Sequence, residues 1–113
     1  MTKLTAKEIV DLNKEYTFFS WSNQGQVNPI PVTKAEGVYF WDADGKRYLD
    51  FASQLVNENI GHQHPKVVKA IQDQAAVLAF VSPGMATEPR GLLGKKLAEI
   101  TPGDLKKTFF ALG

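Results

Sequence analysis

The chain has 113 residues, enough for one small domain, and its 43% apolar and 22% charged residues are typical of a globular protein rather than a disordered one. Its formal net charge is only +1, which gives no indication of a surface for nucleic acid or for an anionic membrane. The absence of cysteine excludes a disulfide framework, a thiol nucleophile and a cysteine-ligated zinc site, and it fits a cytoplasmic protein.

The first predicted element is a short amphipathic helix. Thr5 can cap it, and Glu8 lies three residues further on, where a capping box places an acid. Ile9, Leu12 and Tyr16 recur at helical spacing. Residues 1–8 lack the apolar segment of a secretory signal, and no apolar run in the chain approaches the roughly 20 residues that span a bilayer. A soluble protein is therefore expected.

An arm and a β-hairpin follow. Residues 23–31 contain a glycine and two prolines and are expected to form an irregular arm that lies across another surface, such as that of a second subunit. Residues 37–41 and 46–51 are two strand-like runs separated by the turn sequence DADG, where Asp-Gly supplies the positive φ of a tight hairpin. This turn accounts for Asp42 and Asp44 without a catalytic role.

Two helices are expected next. Pro65 suits the first helical position, and Val67, Ile71, Ala75 and Leu78 form a continuous apolar stripe. Thr87, or the residue before it, begins the following helix, and Pro102-Gly103 ends it. Its predicted buried face consists of Leu92, Leu93, Leu97 and Ile100.

The final residues, 107–113, form a short apolar run entered from a charged loop, which is typical of a strand buried on both faces of a parallel sheet. No parallel partner for this strand is evident upstream. A buried strand that ends in glycine resembles a βα turn without its helix. We therefore expect the chain to be a fragment of a longer protein.

Four segments, in the same order, resemble class III aminotransferases. They are residues 37–50 (GVYFWDADGKRYLD), 59–65 (NIGHQHP), 97–103 (LAEITPG) and 108–113 (TFFALG). The resemblance implies an α/β fold, namely the N-terminal portion of a fold type I transferase dependent on pyridoxal 5'-phosphate. The expected elements are a helix, an arm, a hairpin, two helices and the first strand of the large-domain sheet. The expected divisions are residues 1–36, 37–82 and 83–113, the last being the start of the cofactor-binding domain.

The same resemblance implies a homodimeric enzyme that transfers an amino group from an amine or amino acid to a keto acid or aldehyde. Its cofactor would form a Schiff base with a lysine downstream of Gly113, so no catalytic residue is assigned within this chain and the isolated piece is expected to be inactive. Two alternatives stay open: a non-catalytic dimerisation module, and an aminomutase or decarboxylase on the same scaffold.

The resemblance also implies ligand-contacting residues. Gly113 corresponds to the first residue of the phosphate cup, where glycine allows close approach of backbone N–H groups. Trp21, Val56 and Met85 correspond to positions around the substrate, with Met85 in a loop that reaches the partner subunit's active site. Each also has a purely structural interpretation: Trp21 as an anchor of the arm, Val56 and Met85 as core residues, and Gly113 as a strand end.

His62 and His64 are the two histidines of the chain. Two histidines at i and i+2 lack the third and fourth ligands of a zinc site, so no metal site is predicted. Instead, His62 is expected to hydrogen-bond across its turn, and His64 is expected to cap the second helix.

Overall fold

The computed structural model describes residues 3–111. It divides into two compact units, Met1–Asp73 and Gln74–Gly113. The first unit contains helix α1 (Ala6–Tyr16), strands β1 (Val32–Glu36), β2 (Tyr39–Asp42) and β3 (Arg47–Leu49), and the single turn α2 (Ser53–Val56). Helix α3 (Pro65–Val77) runs from the first unit into the second, and helix α4 (Glu88–Ile100) lies within the second.

The start of α1 is the predicted capping box. The Glu8 backbone N–H donates to Oγ1 of Thr5, and Oε2 of Glu8 accepts from the Thr5 backbone N–H at 2.8 Å. These bonds to Thr5 hold the pKa of Glu8 below its ordinary value, since they favour the ionised carboxylate. The sequence thus specifies both the position and the chemistry of this helix end.

The sheet has three strands in the order β1-β2-β3, all antiparallel. Strands β2 and β3 are the predicted hairpin, with Phe40 opposite Tyr48 and their rings stacked at 5.0 Å. Strand β1 was not predicted; it follows directly after the expected arm and pairs with β2, with an irregularity between Val32 and Lys34. A third strand supplies part of the support that an isolated hairpin lacks.

Asp42 organises the hairpin turn. Its Oδ1 accepts hydrogen bonds from the backbone N–H groups of Asp44 and Lys46 at 3.0 and 2.9 Å, and its Oδ2 accepts from the Tyr48 hydroxyl at 2.8 Å. Gly45 has φ +85°, the positive value that the Asp-Gly sequence predicts. Burial acts to raise the pKa of Asp42, but these hydrogen bonds outweigh it and hold the pKa below its ordinary value.

Both later helices begin where the sequence indicates. Pro65 is the first residue of α3, and the His64 carbonyl accepts from the N–H groups of Val67 and Val68. These are the ordinary first hydrogen bonds of a helix, so the prediction that His64 caps α3 is not confirmed: its buried Nδ1 has no hydrogen-bond partner in the described part of the chain. Thr87 occupies the N-cap of α4 without a side-chain hydrogen bond.

The predicted burial of the helix stripes is wrong for this chain. Side chains from both stripes are exposed, namely Val67, Ile71, Leu78, Leu92, Leu93 and Ile100. Across residues 3–111 no hydrophobic residue is buried. An amphipathic helix gains stability by packing its apolar face on another element. Within each unit, no element among residues 3–111 packs over these apolar stripes closely enough to bury them.

The predicted terminal strand is also wrong over the residues that the structure describes. Residues 105–111 have no strand structure, and the Phe109 side chain is 92% exposed. Leu112 and Gly113 lie outside the described residues. A strand needs a neighbour for its backbone hydrogen bonds, and no described strand offers 107–111 a partner.

No helix within residues 3–111 is long and apolar enough to cross a membrane.

Candidate functional site

A sheltered hydrogen bond between Asp50 and His62 closes the loop that carries Val56. Nε2 of His62 lies 2.6 Å from Oδ2 of Asp50, and the two side chains are 9% and 4% exposed. The backbone of His62 is fixed independently, since it exchanges two hydrogen bonds with Gly37 at 2.7 and 3.0 Å. His62 thus forms a hydrogen bond, as predicted, but its partner is Asp50, directly after β3, and not a group across its own turn.

The other carboxylate oxygen of Asp50 holds the turn α2 within that loop. Oδ1 accepts from the Gln54 backbone N–H at 3.2 Å. On the far side of the turn, Nδ2 of Asn57 donates to the carbonyls of Gln54 and Leu55 at 2.8 and 3.3 Å. Asp50 and Asn57 therefore fix the backbone of α2 from its two ends.

The backbone of α2 is left-handed. Ser53, Gln54, Leu55 and Val56 have φ values of 49°, 45°, 60° and 66°. Left-handed helical geometry costs about 1–2 kcal/mol per residue for residues with a Cβ. Such a run persists only where surrounding contacts over-determine it, and runs of this kind concentrate at functional sites. The sequence gives no sign of it, because none of these residues is Gly or Asn.

The charge state of Asp50 follows from the same contacts. Burial acts to raise its pKa, but the hydrogen bonds from His62 and from Gln54 outweigh burial and hold the pKa below its ordinary value. Glu58 is the next acid near His62, with Oε2 3.8 Å from Nδ1. The two carboxylates thus lie at opposite nitrogens of the imidazole ring and do not converge on a common point.

Val56 projects from this braced turn with 75% of its surface exposed. Its backbone N–H donates to the Ala52 carbonyl at 3.2 Å, and the hydrogen bonds that shape the turn do not involve its side chain. Exposure argues against the interpretation of Val56 as a core residue of this chain. The side chain is available to contact a ligand or another part of a larger protein.

Trp21 lies in the first unit, in the segment between α1 and the arm. This segment is folded around Gln24, whose Oε1 accepts from the Phe19 N–H at 3.0 Å and whose Nε2 donates to the Phe19 and Ser22 carbonyls at 2.8 and 2.9 Å. Trp21 has φ 54° and is 92% exposed. Within the described unit it does not anchor the arm on the sheet, so its indole is free to contact something else.

Met85 lines a cavity of about 410 Å³ in the second unit. The loop before α4 forms its wall: the Met85 N–H donates to the Ser82 carbonyl at 2.9 Å, and Nη1 of Arg90 donates to the Pro83 carbonyl at 2.8 Å. Phe110, from the segment predicted to be a strand, also lines this cavity, whose lining is mainly apolar but includes Gln74, Ser82, Thr87 and Arg90. Met85 therefore lies at a cavity of the second unit.

The predicted site residues are divided between the two units. Trp21 and Val56 belong to the first unit, Met85 belongs to the second, and Gly113 lies outside the described residues. Asp50 and Asn57 were not singled out as site residues. The sequence did contain an indication for Asp50. An acid at the end of a strand is a candidate hydrogen-bond partner for a histidine beyond the next loop, here His62.

The sequence profile of a family described as aminotransferase class-III matches residues 21–113 of the chain. The chain belongs to the class III aminotransferases. Acetylornithine aminotransferase from Methanocaldococcus jannaschii is 38% identical over 101 residues, which cover 89% of this chain and 24% of that protein. Adenosylmethionine-8-amino-7-oxononanoate aminotransferase from Aquifex aeolicus is 33% identical, with 98% of this chain and 25% of that protein covered.

Solved class III structures are similar in fold as well. Taurine:2-oxoglutarate aminotransferase from Bifidobacterium kashiwanohense, solved with PLP and glutamate, has a TM-score of 0.85 and 44% identity over 90% of this chain and 23% of its own. The chain spans about a quarter of the length of these relatives. The match confirms the predicted family and the α/β transferase fold, although the exposed terminal segment does not support the argument from a buried strand.

Proposed function

We propose that this chain forms the N-terminal region of a transaminase dependent on pyridoxal 5'-phosphate, which moves an amino group from an amine or amino acid to a keto acid or aldehyde. One observation carries the proposal: the class III match covers residues 21–113 and the fold is similar to that of the taurine enzyme. Because the chain spans about a quarter of its relatives, the activity is proposed for the complete enzyme and not for this piece.

The described residues do not form a site for the cofactor by themselves. The cavity at Met85 is lined mainly by apolar groups and Arg90, and it holds neither a lysine nor an acid to pair with the ring of pyridoxal phosphate. Gly113, proposed to open the phosphate cup, lies outside the described part of the chain. When bound, the cofactor supplies the electron sink for amino transfer. We assign no step of that chemistry to residues 3–111.

The contribution proposed for this chain is substrate binding. Trp21, Val56 and Met85 are exposed apolar side chains, each carried by a segment whose backbone is held by hydrogen bonds. Apolar groups of this kind discriminate between donors by shape, at about 1–3 kcal/mol for a change of one methylene. They would therefore shape donor preference without deciding the reaction.

The proposed assembly is a cytoplasmic homodimer, in which Met85 serves the partner's substrate site. Exposed large apolar side chains throughout both units support a covering surface, from the rest of the enzyme or from a second subunit. The lack of cysteine fits a reducing compartment.

The test uses the full-length coding sequence that contains this segment. Purified protein is mixed with pyridoxal phosphate, its visible absorbance is recorded, and amine donors are assayed with 2-oxoglutarate as acceptor. Cofactor absorbance with amino transfer supports the proposal, whereas cofactor binding with decarboxylation or amine migration instead would identify a different reaction on this scaffold. A protein that binds no cofactor would overturn it in favour of a non-catalytic module.

Matched variants test the substrate residues. Trp21→Ala is compared with Phe18→Ala, because both aromatics lie between α1 and the arm and are more than nine-tenths exposed, at 92% and 93%. Met85→Ala is compared with Leu92→Ala, an exposed α4 residue that does not line the cavity. We expect KM for the donor to change in the first member of each pair only. Equal effects within a pair would remove that residue from the proposed site.

A further inference from the structure

The loop 51–61 is closed by contacts that converge on one carboxylate. Asp50 bonds His62 through Oδ2 at 2.6 Å and the backbone of α2 through Oδ1 at 3.2 Å. His62 is itself tied to Gly37, in the turn between β1 and β2, by a pair of backbone hydrogen bonds. A single sheltered side chain thus links the sheet, the far end of the loop and the left-handed turn.

This arrangement is more than the loop requires for closure. The backbone bonds between Gly37 and His62, together with the bond from the Asp50 N–H to the Val38 carbonyl at 2.9 Å, already fix both ends of the loop. The additional hydrogen bond, from the Gln54 N–H to Oδ1 of Asp50, acts on the turn itself, at the residue two positions before Val56. It is formed in the left-handed conformation in which Val56 is exposed.

We propose that Asp50 and His62 are positioning residues for the substrate pocket, which set the location of Val56 by bracing the left-handed turn. The proposal rests on the proposed function, since Val56 is a pocket residue only if the complete enzyme is a transaminase. His62 orients the Asp50 carboxylate from one side, and Asn57 holds the turn from the other. Neither Asp50 nor His62 is proposed to touch the substrate or the cofactor.

The experiment is a double-mutant cycle in the full-length, cofactor-loaded enzyme. Asp50→Asn keeps the side-chain size and one acceptor oxygen but removes the charge, and it is combined with Val56→Ala. KM and kcat are measured for one small and one bulky amine donor. Asp73→Asn, which alters an exposed acid paired with Lys69 on α3, serves as the matched control.

If Asp50 positions Val56, KM and kcat should change in a specific pattern. Asp50→Asn changes the ratio of KM values for bulky and small donors by about tenfold, leaves kcat within about threefold, and has little further effect once Val56 is alanine. Additive effects of the two substitutions would overturn the proposal. So would a parallel loss of kcat for both donors, which indicates general damage.

A second measurement does not depend on amino transfer. Amide hydrogen exchange in the full-length protein should become faster at residues 53–57 in Asp50→Asn, while exchange in α1 stays unchanged. If the wild-type protein fails to transaminate but the faster exchange is seen in Asp50→Asn, the proposed function fails. The contacts of Asp50 then have a structural role only, and the pocket role is overturned.

If Asp50→Asn does not fold, His62→Gln replaces it in the cycle. Loss of cofactor absorbance in both variants would show that the pair has a structural role only, which also overturns the proposal.

Discussion

The hydroxyl of Tyr48 donates to Oδ2 of Asp42 across the hairpin at 2.8 Å, while the same carboxylate closes the turn through Oδ1. A single acid therefore joins the turn to the strand that leaves it. Asp42 is 8% exposed, a sheltered position for an acid in a chain whose apolar side chains are largely open to solvent. Its environment is polar but fully bonded, as a sheltered carboxylate requires.

Substitutions at these two residues should differ in severity. Tyr48→Phe removes one hydrogen bond and keeps the stacked ring, so the expected loss in free energy of unfolding is about 1 kcal/mol. Asp42→Ala leaves the N–H groups of Asp44 and Lys46 and the Tyr48 hydroxyl without their acceptor, and it should destabilise the protein more. Urea unfolding of the full-length protein measures both. Equal effects would show that the turn bonds contribute nothing.

The capping box should be separable from the rest of α1. Thr5→Ala removes the side-chain acceptor for the Glu8 N–H, and we expect about 1 kcal/mol less stability in the helix, whereas Thr5→Ser keeps the hydroxyl and should be close to neutral. Amide exchange within residues 6–10 reports the change. Unaltered exchange in the alanine variant would mean that the cap does not stabilise the helix.

Acid should release the left-handed turn. The pKa of Asp50 is held below its ordinary value, so the stabilisation from its ionised form is complete above the unfolded-state pKa of about 3.9 and disappears as the pH falls through the lower folded-state pKa. Protection factors at residues 53–57, which correct exchange for its slower intrinsic rate at low pH, should fall at acid pH in the wild-type protein. In Asp50→Asn the protection factors should already be low at neutral pH and should respond less to acid.

Gln63 offers a direct test of backbone strain. It has φ 56° and an exposed side chain, so the positive φ disfavours any residue with a Cβ, and a β-branched one most of all. We expect Gln63→Gly to be neutral or stabilising and Gln63→Val to cost at least about 1 kcal/mol. Thermal unfolding of the full-length variants ranks them. A valine variant as stable as the wild type would contradict the strained conformation.

The 113-residue chain alone should not unfold as a cooperative monomer. No hydrophobic residue within 3–111 is buried, so little apolar surface leaves solvent and the heat-capacity change on unfolding should be small. Scanning calorimetry combined with binding of a hydrophobic dye measures this. A sharp transition from material shown to be monomeric would refute the expectation. The same preparation should show no transaminase activity.

The features that the sequence predicted are those decided within a few residues. The capping box of α1, the Asp-Gly turn and the proline that begins α3 each depend on local chemistry, and each is present. Strand β1 was missed because Val32–Glu36 follows a proline-rich arm and has only a short alternating pattern. Its strand character depends on pairing with β2.

The failures share one physical origin, which is that burial and pairing require partners elsewhere. Phe109 and Phe110 have the composition of an interior strand, but within the described residues they have no neighbouring strand and form none. The left-handed turn was missed for the same reason. Gln54 and Leu55 have no intrinsic preference for positive φ, and in the left-handed turn their backbone groups bond to the side chains of Asp50 and Asn57, which the sequence pattern does not reveal.

The hydrogen bonds that hold residues 53–56 have an evolutionary consequence. They join backbone groups of the turn to the side chains of Asp50 and Asn57, which flank it. The side chain at position 56 can therefore be exchanged without removing any of them. A lineage can then diversify at this one site while the surrounding framework stays intact. The loop would thus combine a rigid frame with a freely variable tip, as the hypervariable loops of a recognition domain do.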